Sequence, residues 1–173
     1  MVRRSQFTGN FGGHATAGGI ASRSGSAVIS DSVIDGNAQG AGITNEATMT
    51  IVGSTVSNHF KSEGAGITNT GSLTVRGSAI RDNTAEREGG GIANYGGSLV
   101  LASTNVTGNT APIGGGILNS DGGTALLRNS IVTGNTALGD GGLFGGGILN
   151  LLGVVTLRAS TVAGNTPDDC VGC

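Results

Sequence analysis

One phrase recurs seven times along this chain of 173 residues. It reads Ser/Thr-x-apolar-x-turn-Asn: SQFTGN (5–10), SVIDGN (32–37), STVSNH (54–59), SAIRDN (78–83), TNVTGN (104–109), SIVTGN (130–135) and STVAGN (160–165). The copies begin 27, 22, 24, 26, 26 and 30 residues apart. A period of this length constrains the fold more than any other feature. Each copy is one small unit that cannot bury its apolar face alone, so it must stack on its neighbours.

Each position in the phrase has a physical role. The third residue is always apolar: Phe7, Ile34, Val56, Ile80, Val106, Val132 or Val162. The fifth is Gly9, Gly36, Asn58, Asp82, Gly108, Gly134 or Gly164. These residue types best tolerate a left-handed backbone, which predicts a sharp turn there. The sixth is Asn in every copy but one, where His59 takes its place.

Two further phrases share the period. Upstream of the Ser/Thr lie alternating apolar pairs, Met49/Ile51, Leu73/Val75, Leu99/Leu101, Ala125/Leu127 and Val155/Leu157, preceded by Ala27/Ile29. Alternation with period two predicts a strand with one buried face. Thr50, Thr74, Val100, Leu126 and Thr156, with Arg76, Arg128 and Arg158, fall on the outward face. Downstream come GGIAS (18–22), AGITN (41–45), AGITN (65–69), GGIAN (90–94), GGILN (115–119) and GGILN (146–150), each with an inward Ile followed two residues later by Asn or Ser22.

The pattern predicts an all-β fold: a single-stranded right-handed parallel β-helix, or solenoid, of about six to seven coils with three short strands per coil. Equivalent strands would pair at about 4.8 Å, and like side chains would form vertical files. Asn45, Asn69, Asn94, Asn119 and Asn150 would stack into one hydrogen-bonded ladder, and Asn37, Asn83, Asn109, Asn135 and Asn165 into another. The β-helix is expected over residues 1–166, with an incomplete first coil and a tail, 167–173, carrying a CxxC. Repeated GGG sequences without helical periodicity argue against a phosphate-binding loop. A period of this length also excludes the nonapeptide calcium roll.

Glycine accounts for 35 residues and charged residues for only 12%, yet 36% of residues are hydrophobic, so the chain is not a disordered polar tract. Net charge is −2 with scattered basic residues, which predicts no nucleic-acid partner. The most apolar stretch, LFGGGILNLLGVVTL (143–157), is too short to span a bilayer. MVRRSQFTGN has no apolar core after its arginines, so no signal peptide is read in this chain.

The repeated GG[GA]I-x-N and S-x-[VIF]-x-G-N phrases resemble those of right-handed parallel β-helix proteins of the pectate-lyase-like superfamily. The nearest type is the bacterial surface repeat of polymorphic outer-membrane proteins, with its GGA[ILV] and FxxN motifs; Phe7-Thr8-Gly9-Asn10 matches FxxN literally. The resemblance covers roughly residues 5–166. It implies the fold and a secreted or cell-surface location. It leaves activity open, because the superfamily includes lyases, hydrolases, epimerases and adhesins.

Candidate chemistry is sparse. Asp31 and Asp35, read as four apart on one strand, would be roughly 13 Å apart, too far to share one bond. A polar corner is expected from His59, Glu63, Glu86 and Glu88, with Lys61 and Arg87 nearby and His14 two coils earlier. Cys170 and Cys173 suit a disulfide in an exported protein; a zinc site would need further ligands, and a redox pair would need a helix-opening, thioredoxin-like context. The longest loop, TALGDGGLFGG (136–146), offers Asp140, Leu143 and Phe144 to a partner. Outward Leu118 and Leu149 would form an apolar strip unless that loop covers them.

The expected function is a non-catalytic exported or cell-surface scaffold presenting an extended face for adhesion or for binding a glycan or other partner. No catalytic residue, metal or cofactor is assigned. The alternative is a carbohydrate-active polysaccharide lyase or glycoside hydrolase, or an inactive fragment of one. An uncapped end also offers end-to-end self-association by strand addition.

Overall fold

The alternating phrases fold into short strands that stack from coil to coil. A computed structural model describes residues 1–12, 17–139 and 144–173; His14, Asp140 and Leu143 lie outside the described residues. Among the described residues, three parallel sheets of seven strands run the length of the molecule, and a fourth of four strands covers its middle. In the order the chain visits them within a full coil we call them A, B, C and D.

Sheet A contains Val2–Arg3, Ser26–Ser30, Thr48–Val52, Ser72–Arg76, Ser98–Ala102, Thr124–Arg128 and Val154–Arg158. Sheet B carries the third residue of the recurring phrase, from Gln6–Thr8 to Thr161–Val162. Sheet D starts at Ala17–Ser22 and ends at Cys170–Val171, so the tail adds a strand of its own. Sheet C contains Phe60–Glu63, Thr84–Glu88, Thr110–Ala111 and Thr136–Ala137. This fourth strand adds to the three expected per coil.

Register is kept from coil to coil. Ile43, Ile67, Ile92, Ile117 and Ile148 are consecutive partners, and Cys170 continues the file. Most of the inward Ile, Leu and Val residues of sheets A, B and D join in one buried core. No single coil encloses that core. The fold therefore depends on stacking, as the period requires.

Two files of left-handed residues bend the coil. Gly9, Gly36, Asn58, Asp82, Gly108, Gly134 and Gly164 all have positive φ, at the turn the phrase predicts. A second file, at the corner between sheets A and B, holds Arg4, Asp31, Gly53, Gly77, Ser103, Asn129 and Ala159. Asp31 thus sits in a turn and Asp35 in the strand Val33–Asp35, which corrects the placement of both on one strand.

The repeated GGG is explained at Gly114–Gly116. Gly114 adopts φ 61°; a Cβ on Gly115 would strike the carbonyl of Thr136; one on Gly116 would lie 2.5 Å from the carbonyl of Gly147. One glycine makes a turn and two admit the backbone of adjacent segments. The turn at Gly114 also lies over Leu118, whose file is closed: Leu118 is 1% and Leu149 0% exposed. Neither forms part of an outward apolar strip.

Candidate functional site

The asparagine files are hydrogen-bonded ladders. Asn45 donates its amide to Asn69 Oδ1 at 2.7 Å, Asn69 to Asn94 at 2.6 Å, Asn94 to Asn119 at 2.7 Å and Asn119 to Asn150 at 2.7 Å. In the second ladder Asn83 donates to Asn109, Asn109 to Asn135 and Asn135 to Asn165, each at 2.9 Å. Asn10 donates to Asn37 at 2.9 Å, and Asn165 ends the series on the Asp169 carboxylate at 3.1 Å. Buried amides arranged this way have nothing to offer a ligand; they satisfy one another and the turn backbone.

A third ladder runs through the hydroxyls that open each phrase. The backbone N–H of Ser32 donates to Ser54 Oγ and that of Ser54 to Ser78 Oγ, both at 3.1 Å. Each hydroxyl donates back to a carbonyl two residues upstream, as Ser54 does to Val52 at 2.8 Å. The recurrence of Ser/Thr at that position was the available sequence signal.

His59 stands inside the coil at 1% exposure, in the second asparagine ladder. Its Nδ1 accepts the backbone N–H of Asn37 at 3.1 Å, and its Nε2 lies 3.1 Å from the carbonyl of Ile34. Burial, opposed by the Asn37 carbonyl 3.3 Å from Nδ1 and by the Ile34 carbonyl, holds the imidazole below its ordinary pKa. His59 therefore does not share a surface with the three glutamates of the polar corner.

Those glutamates lie on sheet C. Glu63 and Glu88 are register partners on adjacent coils. Glu63 pairs with Arg87 at 3.0 Å, and Glu88 accepts the Tyr95 hydroxyl at 2.8 Å. Burial first, then the bond to Glu88, pushes the Tyr95 phenol upward. Lys61 is held low by desolvation, against the attraction of Glu63. Glu86 is exposed on the same strand as Glu88. Among the described residues no group of three or more His, Cys, Asp or Glu side chains is placed to hold a metal ion.

On sheet B, Asp35 accepts the Ser57 hydroxyl at 2.6 Å and the Asn58 amide at 2.7 Å. The Ser57 bond, then the Asn58 bond, holds its carboxyl below the usual range. Arg81 lies in the same file but pairs with Asp82 at 2.6 Å. Cys170 and Cys173 are joined by a disulfide. Phe144 is half-buried, and its ring lies against Gly139.

The outer face of sheet A differs from all of these. Its strands contain four arginines and no acidic residue. Arg3, Ser30, Val52, Arg76, Ala102, Arg128 and Arg158 form one file along its border with sheet B. Ser26, Thr48, Ser72, Ser98 and Thr124 form an exposed hydroxyl file along the opposite border. Beside Arg76 a shallow groove is lined by Val52, Gly53, Gly77, Ala102 and Ser103.

Stacked parallel strands, inward aliphatic files and buried amide ladders define a parallel β-solenoid. Residues 1–167 match the right-handed β-helix region, and the chain belongs to that family. Comparison with curated proteins and with solved structures gave no match. No helix among the described residues is long and apolar enough to cross a membrane.

Proposed function

We propose that this protein is a non-catalytic scaffold, exported or displayed at a cell surface, that presents an extended face for adhesion or for binding a glycan or other partner. One observation carries the reading: the outer face of sheet A continues across seven strands without a carboxylate. Hydrolysis or elimination on a sugar chain needs placed acid and base groups, whereas adhesion needs area and repeated polar contacts. The Cys170–Cys173 disulfide supports an oxidising location. End-to-end addition of a second copy belongs to the same proposal, since an edge strand offers unpaired backbone groups.

A glycoside hydrolase is the second reading, and one relationship favours it. Glu63 and Glu88 are register partners across one coil, about 4.8 Å apart at the backbone, which sets on neighbouring strands the two carboxyl side chains a glycosidase needs. Both carboxylates already have partners in Arg87 and Tyr95. A polysaccharide panel scored for binding and for reducing or unsaturated products separates the readings. The scaffold reading predicts binding without turnover. Turnover that disappears in Glu63→Gln or Glu88→Gln contradicts it.

A further inference from the structure

The protein carries a net charge of −2, yet the strands of sheet A carry four positive charges and no negative one. Asp31, Glu46 and Asp121 lie in turns at the borders of the sheet rather than in its strands. Arg81 and Arg87 elsewhere have carboxylate partners; among the described residues Arg76, Arg128 and Arg158 have none. All three are exposed.

Their arrangement follows from the register. Arg128 and Arg158 are direct partners on adjacent coils, about 4.8 Å apart at the backbone, and Arg76 lies two coils further, about 10 Å. Like charges directly opposite one another in a sheet oppose folding. A ligand carrying anions along its length removes that repulsion and releases its own counterions. Guanidinium groups present forked donors and are weakly hydrated, so they suit oxyanions.

The rest of the face selects among polyanions. Hydroxyls of Ser72, Ser98 and Thr124 line the far border, and Thr50, Thr74, Val100 and Leu126 form a low central file. No aromatic residue lies in these strands, so no platform exists for stacking bases. A sugar backbone on the central file would meet hydroxyls on one side and arginines on the other. The arginines stand to the side, about 6–7 Å from that file, two residues along the strand. A sulfate ester on an exocyclic arm spans such a gap better than a carboxyl bonded directly to the ring.

Resting on the scaffold reading, we infer that the outer face of sheet A binds a linear sulfated glycan along the solenoid axis, gripped by Arg76, Arg128 and Arg158.

The test uses the full chain with heparin and dextran sulfate as probes, beside neutral dextran, polygalacturonate and duplex DNA. Heparin and dextran sulfate should bind, and binding should weaken steeply with added salt. The triple variant Arg76→Gln/Arg128→Gln/Arg158→Gln should lose at least about tenfold in affinity. Arg81→Gln, on sheet B, should retain it. Circular dichroism checks that each variant is folded, and the wild-type salt titration tests the inference without any variant. Unchanged binding by the folded triple variant, salt-independent binding, no binding of the sulfated probes, or equal binding of polygalacturonate or DNA overturns the inference. Retained binding of a neutral glycan would then leave the scaffold reading standing. Cleavage of any of these polysaccharides overturns both.

Discussion

The Nδ1 atom of His59 accepts the backbone N–H of Asn37 at 3.1 Å, where an asparagine ladder elsewhere supplies Oδ1. Nε2–H correspondingly points at the Ile34 carbonyl, as the Asn83 amide points at Val56. The neutral Nε2–H tautomer therefore makes both of the amide's backbone bonds, though not its side-chain rung to the next asparagine. Gly42 makes room for the ring, since a Cβ there would collide with it.

This geometry makes the protein acid-sensitive at one site. Protonating Nδ1 would forfeit the bond from the Asn37 N–H, which the Asn37 carbonyl 3.3 Å away offsets only in part, and burial holds the folded-state pKa below its ordinary value of 6.5. The unfolded chain takes up the proton first as pH falls through about 6.5. Stability contributed by neutral His59 is thus full above that value and declines down to the lower folded pKa. Urea unfolding at pH 7.5 and 5.0 should show a larger acid loss in wild type than in His59→Asn. An equal loss in both would place the acid sensitivity elsewhere.

Asn109 sits at the middle of its ladder, and its Oδ1 accepts both the backbone N–H and the amide of Asn83. Asn109→Ala leaves the Asn83 backbone N–H buried without a partner and the Asn83 amide with the Val56 carbonyl alone, and an orphaned buried donor costs about 1–3 kcal/mol. The midpoint of denaturation should fall accordingly. Asn105→Ala removes an exposed amide from a strand of sheet B, and its comparison isolates the cost of the buried ladder.

Ala159 is held at φ 47°, in the corner file where Gly53 and Gly77 occupy earlier coils. A left-handed alanine costs roughly 1–2 kcal/mol relative to a residue free of the Cβ clash. Ala159→Gly should raise stability by about 0.5–1 kcal/mol once the greater unfolded-state freedom of glycine is included. Ala102→Gly, within a strand of sheet A, should lower it. Thermal melts of the two variants moving in opposite directions is the expected outcome.

Much of the architecture was legible in the sequence because a solenoid writes its contacts into its period. The Ile67, Ile92 and Ile117 file could be read before any coordinate, since recurrence identifies the partner. Sheet C was not legible: TAERE at Thr84–Glu88 is too polar to announce a strand and is paired through its backbone. The corner file was hidden for another reason. Arg4, Ser103 and Ala159 do not mark a left-handed turn by residue type; their positions in the coil impose it. The outward arginines were visible singly, but the contiguity of Arg128 and Arg158 depends on a register that spans the long loop between them.

Every file described above requires equivalent residues to lie one coil apart. Thr50, Thr74, Val100, Leu126 and Thr156 form such a file on the outer face of sheet A. Spin labels at position 50 paired in turn with positions 100, 126 and 156 measure it directly. The backbone separations should be about 10, 14 and 19 Å, rising in equal steps of about 4.8 Å. Separations that rise unevenly, or that fail to increase from one partner to the next, would contradict the stacked coil.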